Sequence, residues 1–258
     1  MEFAGNRARG EIVTHIAAVI QARTGSTRLP GKALRLLAGV TLTEHIIKRV
    51  QAVKEIDRIV LAIPLGSQEK PLQEIAARSG IDCVQGPEED VLKRFILAGD
   101  QVKAEHIVRI CGDNPLVDLN LMRSLILQHA KESADYTFCS DPIPLGSGSE
   151  VVKLNALKEI SLKTSEPVYL EHVTTYFQDH PGGFRLEKIP APFYLKDKNV
   201  RLTIDTEQDF FLLDQIYQKF YSPSQSPLDL NKILQFLAEN PHLSDHNSDV
   251  KQKNWRLG

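Results

Sequence analysis

Ile16-Ala17-Ala18-Val19-Ile20-Gln21-Ala22-Arg23-Thr24-Gly25-Ser26-Thr27-Arg28-Leu29-Pro30-Gly31-Lys32 is the stretch on which the fold turns. An uninterrupted apolar run of strand length fits a strand buried on both faces, as in a parallel sheet. It passes directly into a loop that carries Arg23, Arg28 and Lys32, the hydroxyls of Thr24, Ser26 and Thr27, and Gly25 and Gly31. Glycine lets backbone N–H groups approach a polyanion, hydroxyls donate to its oxygens, and Arg and Lys neutralise its charge. Pro30 stiffens the turn before Gly31 and helps to place Lys32. The loop is not a Walker A motif: Gly25 and Gly31 lie one residue too far apart, and Ala33 stands where Ser or Thr would hold magnesium. Taken alone, it reads equally well as a solvated basic loop with Gly and Pro as turn formers.

Outward from this stretch, apolar runs alternate with segments of helical period, which predicts a mostly parallel sheet covered on both faces. Strands are expected at 15–21, 58–63, 82–84, 106–110, 136–139, 150–152, 184–189 and 200–204. Helices are expected from Thr41, whose spacing to Glu44 fits a capping box, and at 69–79, after the acidic turn 87–90, and at 120–131, 155–163, 167–179, 207–220 and 228–239. Residues 1–14 read as a flexible N-terminal segment and 241–258 as a polar, mobile tail, leaving one domain over 15–240.

The chain has 258 residues, enough to bury a full core, and its 42% hydrophobic and 25% charged content is ordinary for a soluble protein. A formal net charge of −2 provides no basic field for nucleic acid, so any phosphate site must be local. No apolar stretch approaches a membrane span and no signal peptide is legible, which predicts a cytoplasmic protein with no membrane partner. Cys83, Cys111 and Cys139 lack paired spacing and read as small buried thiols.

Ligands of open α/β sheets bind beyond the carboxyl ends of the strands. That rule selects the 21–32 loop, Cys111-Gly112-Asp113-Asn114-Pro115, and Ile204-Asp205-Thr206-Glu207. An aspartate freed by Gly112 and stopped by Pro115 suits a hard cation such as Mg2+, which takes one or two carboxylates plus phosphate oxygens. Asp113 and Asp205 are the candidate pair, with helix capping or an Asx-turn as the alternative for each. Asp118 and Asp209 read as structural.

These segments, with Glu88-Glu89-Asp90-Val91-Leu92, Tyr169-Leu170-Glu171-His172-Val173-Thr174 and Arg201 to Thr206, resemble in order the cytidylyltransferases that activate acidic sugars. The likeness runs from about residue 16 to 221. It is closest to the branch named after spore coat polysaccharide biosynthesis protein F, in a wider group with acylneuraminate and 3-deoxy-manno-octulosonate cytidylyltransferases. The resemblance implies a Rossmann-like, GT-A-like three-layer α/β/α nucleotidyltransferase with a small inserted region, about 142–195, for sugar binding and dimerisation. It implies CTP and a sugar or sugar acid as substrates, Mg2+ as cofactor, and a homodimer. Arg23 and Lys32 match residues that hold the triphosphate, within a nucleotide site of Gln21, Ala22, Arg23, Gly25, Ser26, Arg28, Lys32 and Asp90. Asp113 and Asp205 match the metal carboxylates, and Arg23, Lys32 and Asp113 are the expected catalytic groups. Glu150, Glu171 and His172 fall on the sugar side, with a packed structural role on their helix as the equal alternative for Glu171 and His172, and Gly148 and Leu145 replace acidic residues of the family pattern there. Two alternatives remain: a GT-A-type glycosyltransferase, whose usual Asp-x-Asp triplet is absent from this chain, and a non-catalytic nucleotide-binding relative.

Overall fold

The computed structural model describes residues 15–224 and 227–252. The expected flexible segment 1–14 lies outside them. In chain order the elements are β1 (Ile16–Gln21), β2 (Leu36–Leu37), β3 (Val40–Thr41), α1 (Leu42–Val50), β4 (Arg58–Pro64), α2 (Lys70–Arg78), β5 (Asp82–Gly86), α3 (Val91–Gln101), β6 (His106–Cys111) and α4 (Leu119–Glu132). There follow β7 (Tyr136–Cys139), β8 (Glu150–Lys153), α5 (Leu154–Lys163), α6 (Pro167–Glu171), α7 (Thr175–Asp179), β9 (Leu186–Ile189), α8 (Glu207–Phe220), α9 (Leu230–Glu239) and α10 (Pro241–Ser248).

Seven strands form one sheet in the order β5-β4-β1-β6-β8-β7-β9. β1 pairs in parallel with both β4 and β6, and β8 runs antiparallel to its neighbours β6 and β7. Strand residues alternate between two cores because successive side chains point to opposite faces. Ala18, Ile20, Leu61, Ile63, Val108 and Ile110 pack under α1, α2, α4, α8 and α9. Ala17, Val19, Val60, Ala62 and Ile107 pack under α3, α5 and α7. The result is a three-layer α/β/α arrangement. The 142–195 segment adds β8 and β9 to the same sheet and α5, α6 and α7 beside it.

The chain winds from β1 to β4 and β5 on one side, then returns to β6 on the other. The carboxyl ends of β1 and β6 therefore diverge into a crevice, the usual ligand position in such sheets. Gly112 is required at this fork, since a Cβ there would collide with the carbonyl oxygen of Gln21.

Three sequence expectations are corrected. Residues 200–204 form no strand: they make a single bridge, Leu145 to Arg201, and the Ile204 N–H donates to the Asp113 carbonyl at 2.9 Å. Their backbone groups are satisfied by two loops instead of a sheet neighbour. The expected helix 167–179 is broken into α6 and α7, with His172 turned out of helical geometry at ψ 72°. Two β-branched residues, Val173 and Thr174, are buried at the break and favour it. Of the expected mobile tail 241–258, residues 241–248 are a helix: α10 packs on α8, and Asn247 is buried with its amide on Asp209 and the Arg201 carbonyl, while residues 253–258 lie outside the described residues.

Candidate active site

The loop after β1 is shaped by its own backbone. The Gly31 N–H returns to the Thr24 carbonyl at 3.2 Å, Leu29 plugs the core, and Gly31 takes the left-handed conformation, φ 65°. Its outer end is tied down by a buried carboxylate, as Glu69 accepts from both the N–H and the hydroxyl of Thr24. Arg28 lies between these ties, Arg23 and Lys32 flank them, and the turn at Gly31 sends Lys32 inward.

Lys32 Nζ donates to Asp113 Oδ2 at 3.0 Å, to Asp205 Oδ1 at 3.1 Å and to the Ile204 carbonyl at 2.9 Å. Burial works against the ammonium, but the two carboxylates more than offset it, so the Lys32 pKa is raised. Arg28 reaches Asp205 Oδ1 at 3.0 Å, and Arg23 reaches Glu88 at 3.5 Å in a largely exposed contact worth little by itself. The structure thus brings Arg28, Lys32, Asp113 and Asp205 together from three separated segments. Gln21 ends β1, the Ala22 N–H that follows donates to the Ala62 carbonyl, and Ser26 accepts from the Leu29 N–H. Gly25 has room for a Cβ, so packing within the protein does not require glycine there.

Asp205 is aimed from behind. Arg201 donates to Asp205 Oδ2 at 2.9 Å and, through Nε, to Asp209 Oδ1 at 2.6 Å. Asp209 also accepts from the backbone N–H groups of Asp205 and Thr206. Burial opposes the Asp209 charge, yet Arg201 and these donors hold its pKa below the usual carboxylate value. Thr206 caps α8, so Asp205 is free of the capping role that the sequence left open.

The oxygens around Lys32 Nζ are two carboxylates and a carbonyl, the hard donor set that Mg2+ prefers. No group of three or more His, Cys, Asp or Glu suited to a metal occurs among the described residues. A divalent cation here would therefore draw its remaining ligands from phosphate and water, as Mg2+ commonly does. Gln21 Oε1, Asn114 Oδ1 and Ser149 Oγ are buried at the same ends of the sheet without a hydrogen-bond partner among the described residues.

Other expected residues lie around this centre. Asp90 caps α3 through the Lys93 N–H, and it is Glu88 that extends towards the loop. Glu150 is engaged on both oxygens: Arg109 and Thr174 donate to Oε2 at 2.7 and 2.9 Å, and the Tyr136 hydroxyl donates to Oε1. Burial and that carboxylate push the Tyr136 pKa well up, so the hydroxyl stays a donor. Glu171 is exposed at the end of α6, and His172 beside it is half-buried. The three cysteines are free and half-buried rather than fully buried. Burial pushes the Cys111 thiol up to about 11, leaving it unreactive at neutral pH.

Sequence reasoning missed Glu69 and gave Arg201 no role of its own. Glu69 looks like any first-turn acid of a helix, and Arg201 had a signal only in its spacing of four from Asp205 and eight from Asp209.

Residues 17–240 match the family model described as cytidylyltransferase. Spore coat polysaccharide biosynthesis protein SpsF of Bacillus subtilis is 36% identical over 228 residues, covering 86% of this chain and 94% of that protein. A solved cytidylyltransferase from Leptospira borgpetersenii superposes with a TM-score of 0.82 at 24% identity, covering 93% of this chain and all (100%) of that one. A CMP:2-keto-3-deoxy-manno-octonic acid synthetase solved with CTP shares the fold, with a TM-score of 0.62 at 16% identity over 80% of this chain and 99% of that one.

Proposed function

The chain belongs to the cytidylyltransferase family, and from that premise we propose that it joins CTP to a sugar or sugar acid, releasing pyrophosphate. The observation that carries this reading is the convergence of Lys32 and Arg28 on Asp113 and Asp205 at the fork of β1 and β6. A triphosphate needs cations, and a phosphoryl transfer needs a hard metal beside them; this crevice has groups for both.

The sugar hydroxyl attacks the α-phosphorus in line and loses its proton to solvent, the α–β phosphoanhydride bond breaks, and pyrophosphate leaves. Arg23, Arg28 and Lys32 bind the phosphates and neutralise the charge that builds on the leaving pyrophosphate. Gln21, Ala22, Gly25 and Ser26 line the path of the nucleotide. Asp113 and Asp205 would hold Mg2+, which would supply Lewis-acid polarisation of a phosphoryl oxygen. Arg201 and Asp209 keep Asp205 aimed. On the acceptor side, Glu171 and His172 face the sugar, while Glu150 holds the break between α6 and α7 through Thr174. A homodimer belongs to the same reading, with 142–152 and 167–184 as the surfaces to test by light scattering.

Two measurements test it. A thermal-shift series with the four nucleoside triphosphates and Mg2+ should give a selective rise with CTP, because ligand binding stabilises by mass action. Pyrophosphate release from CTP should then depend on adding a sugar or sugar acid. Equal shifts with all four nucleotides would remove the cytidine assignment, and hydrolysis of nucleotide-sugars would favour a glycosyltransferase.

A further inference from the structure

Every cation of the phosphate loop already has a protein carboxylate: Arg23 has Glu88, Arg28 has Asp205, and Lys32 has both Asp113 and Asp205. We propose that Lys32 is the resident cation of the Asp113–Asp205 pair, and that a divalent metal enters only with nucleotide, whose phosphates draw Lys32 off. This rests on the reading of Asp113 and Asp205 as the metal carboxylates.

Two arguments support it. The first is occupancy. The oxygens a metal would take, Asp113 Oδ2 and Asp205 Oδ1, are the ones Lys32 Nζ holds at 3.0 and 3.1 Å. A dication cannot bind both while the ammonium remains. The second is charge. Lys32 and Arg28 together match the two carboxylates, and Arg201 divides itself between Asp205 and Asp209. A free dication approaching this cluster meets almost no net field.

A triphosphate reverses both conditions. Its charge competes for Lys32 and Arg28, and their departure leaves two uncompensated carboxylates beside the phosphate oxygens. Movement of the lysine needs no change in the fold. The Lys32 N–H is anchored to the Leu29 carbonyl, so only the flexible four-carbon stem must swing. Metal and nucleotide then strengthen one another's binding by the same factor.

The test is Mn2+ binding to the full chain, read from the paramagnetic resonance of free Mn2+ with and without CTP, after subtracting the Mn2+ that the same nucleotide binds without protein. Wild type should bind Mn2+ weakly alone and at least tenfold more tightly with CTP. Lys32→Met and Lys32→Gln should each bind Mn2+ at least tenfold more tightly than wild type without nucleotide, and CTP should add less. Adding Asp113→Asn to Lys32→Met should abolish the gain. Folded lysine variants, checked by circular dichroism, that bind Mn2+ no better than wild type would overturn the proposal, as would a gain that survives Asp113→Asn. If UTP, ATP and GTP tighten Mn2+ as CTP does, the cytidine assignment falls while the role of Lys32 stands.

Discussion

Lys32 and Asp113 meet across 81 residues of chain, and the contact depends on Gly31 beside the lysine and Gly112 beside the aspartate. Gly31 holds φ 65°, a conformation that costs other residues roughly 1–2 kcal/mol. Gly31→Ala should lower stability by about that amount in urea unfolding and also weaken CTP binding, because it redirects Lys32. Lys32→Ala and Asp113→Ala should each reduce pyrophosphate release about 10²- to 10³-fold, the usual loss of one preorganised charge. Their circular dichroism should stay that of the wild type; wild-type turnover in Asp113→Ala would remove its metal role. The residue types at these positions were legible because phosphate and metal chemistry need cations, hydroxyls and carboxylates after strands. Glu69 was not, because a partner 45 residues away leaves no local pattern, and Arg201 was not, because it acts through other side chains whose spacing also fits an ordinary helix start.

The element that aims Asp205 is α8. Its capping box of Thr206 and Asp209 is the kind of start signal a sequence displays, as Thr41 and Glu44 display the start of α1. What the pattern did not display is that Asp209 also serves Arg201 and, through α10, Asn247. Asn247→Ala would leave a buried carboxylate one donor short, at a cost of about 1–3 kcal/mol. We expect a lower melting temperature together with weaker Mn2+ binding in the presence of CTP. A loss of stability with unchanged Mn2+ affinity would show that α10 does not support the site. The polar composition of 241–248 hid this helix, whose seat is a hydrogen bond rather than an apolar stripe. The break between α6 and α7 escaped for a related reason, since Thr174 is spent on Glu150.

At the scale of the whole molecule, the sheet and α4 are joined through a buried histidine pair. His106 Nδ1 lies 2.9 Å from His129 Nε2, and His129 Nδ1 lies 2.8 Å from the Thr137 hydroxyl. Burial first, then His106 and Lys153, push the His129 pKa down to about 3; burial also lowers that of His106. Unfolded histidine titrates near 6.5, so below that pH the unfolded chain binds more protons and stability falls with pH. For His129 the loss should run from about pH 6.5 towards 3, approaching about 1.4 kcal/mol per pH unit. Urea unfolding between pH 8 and 5 measures it, and His129→Leu should flatten the slope. Local sequence determined most of the elements, because strand and helix periods and capping residues act within a few positions. It also determined the chemical kind of the site, because a polyanion and a hard cation restrict which side chains can serve. Only the tertiary structure decided that 200–204 is a strap held by two loops. It likewise decided that Lys32 closes on both aspartates, since such contacts depend on distances set by the sheet's crossover and not by spacing along the chain.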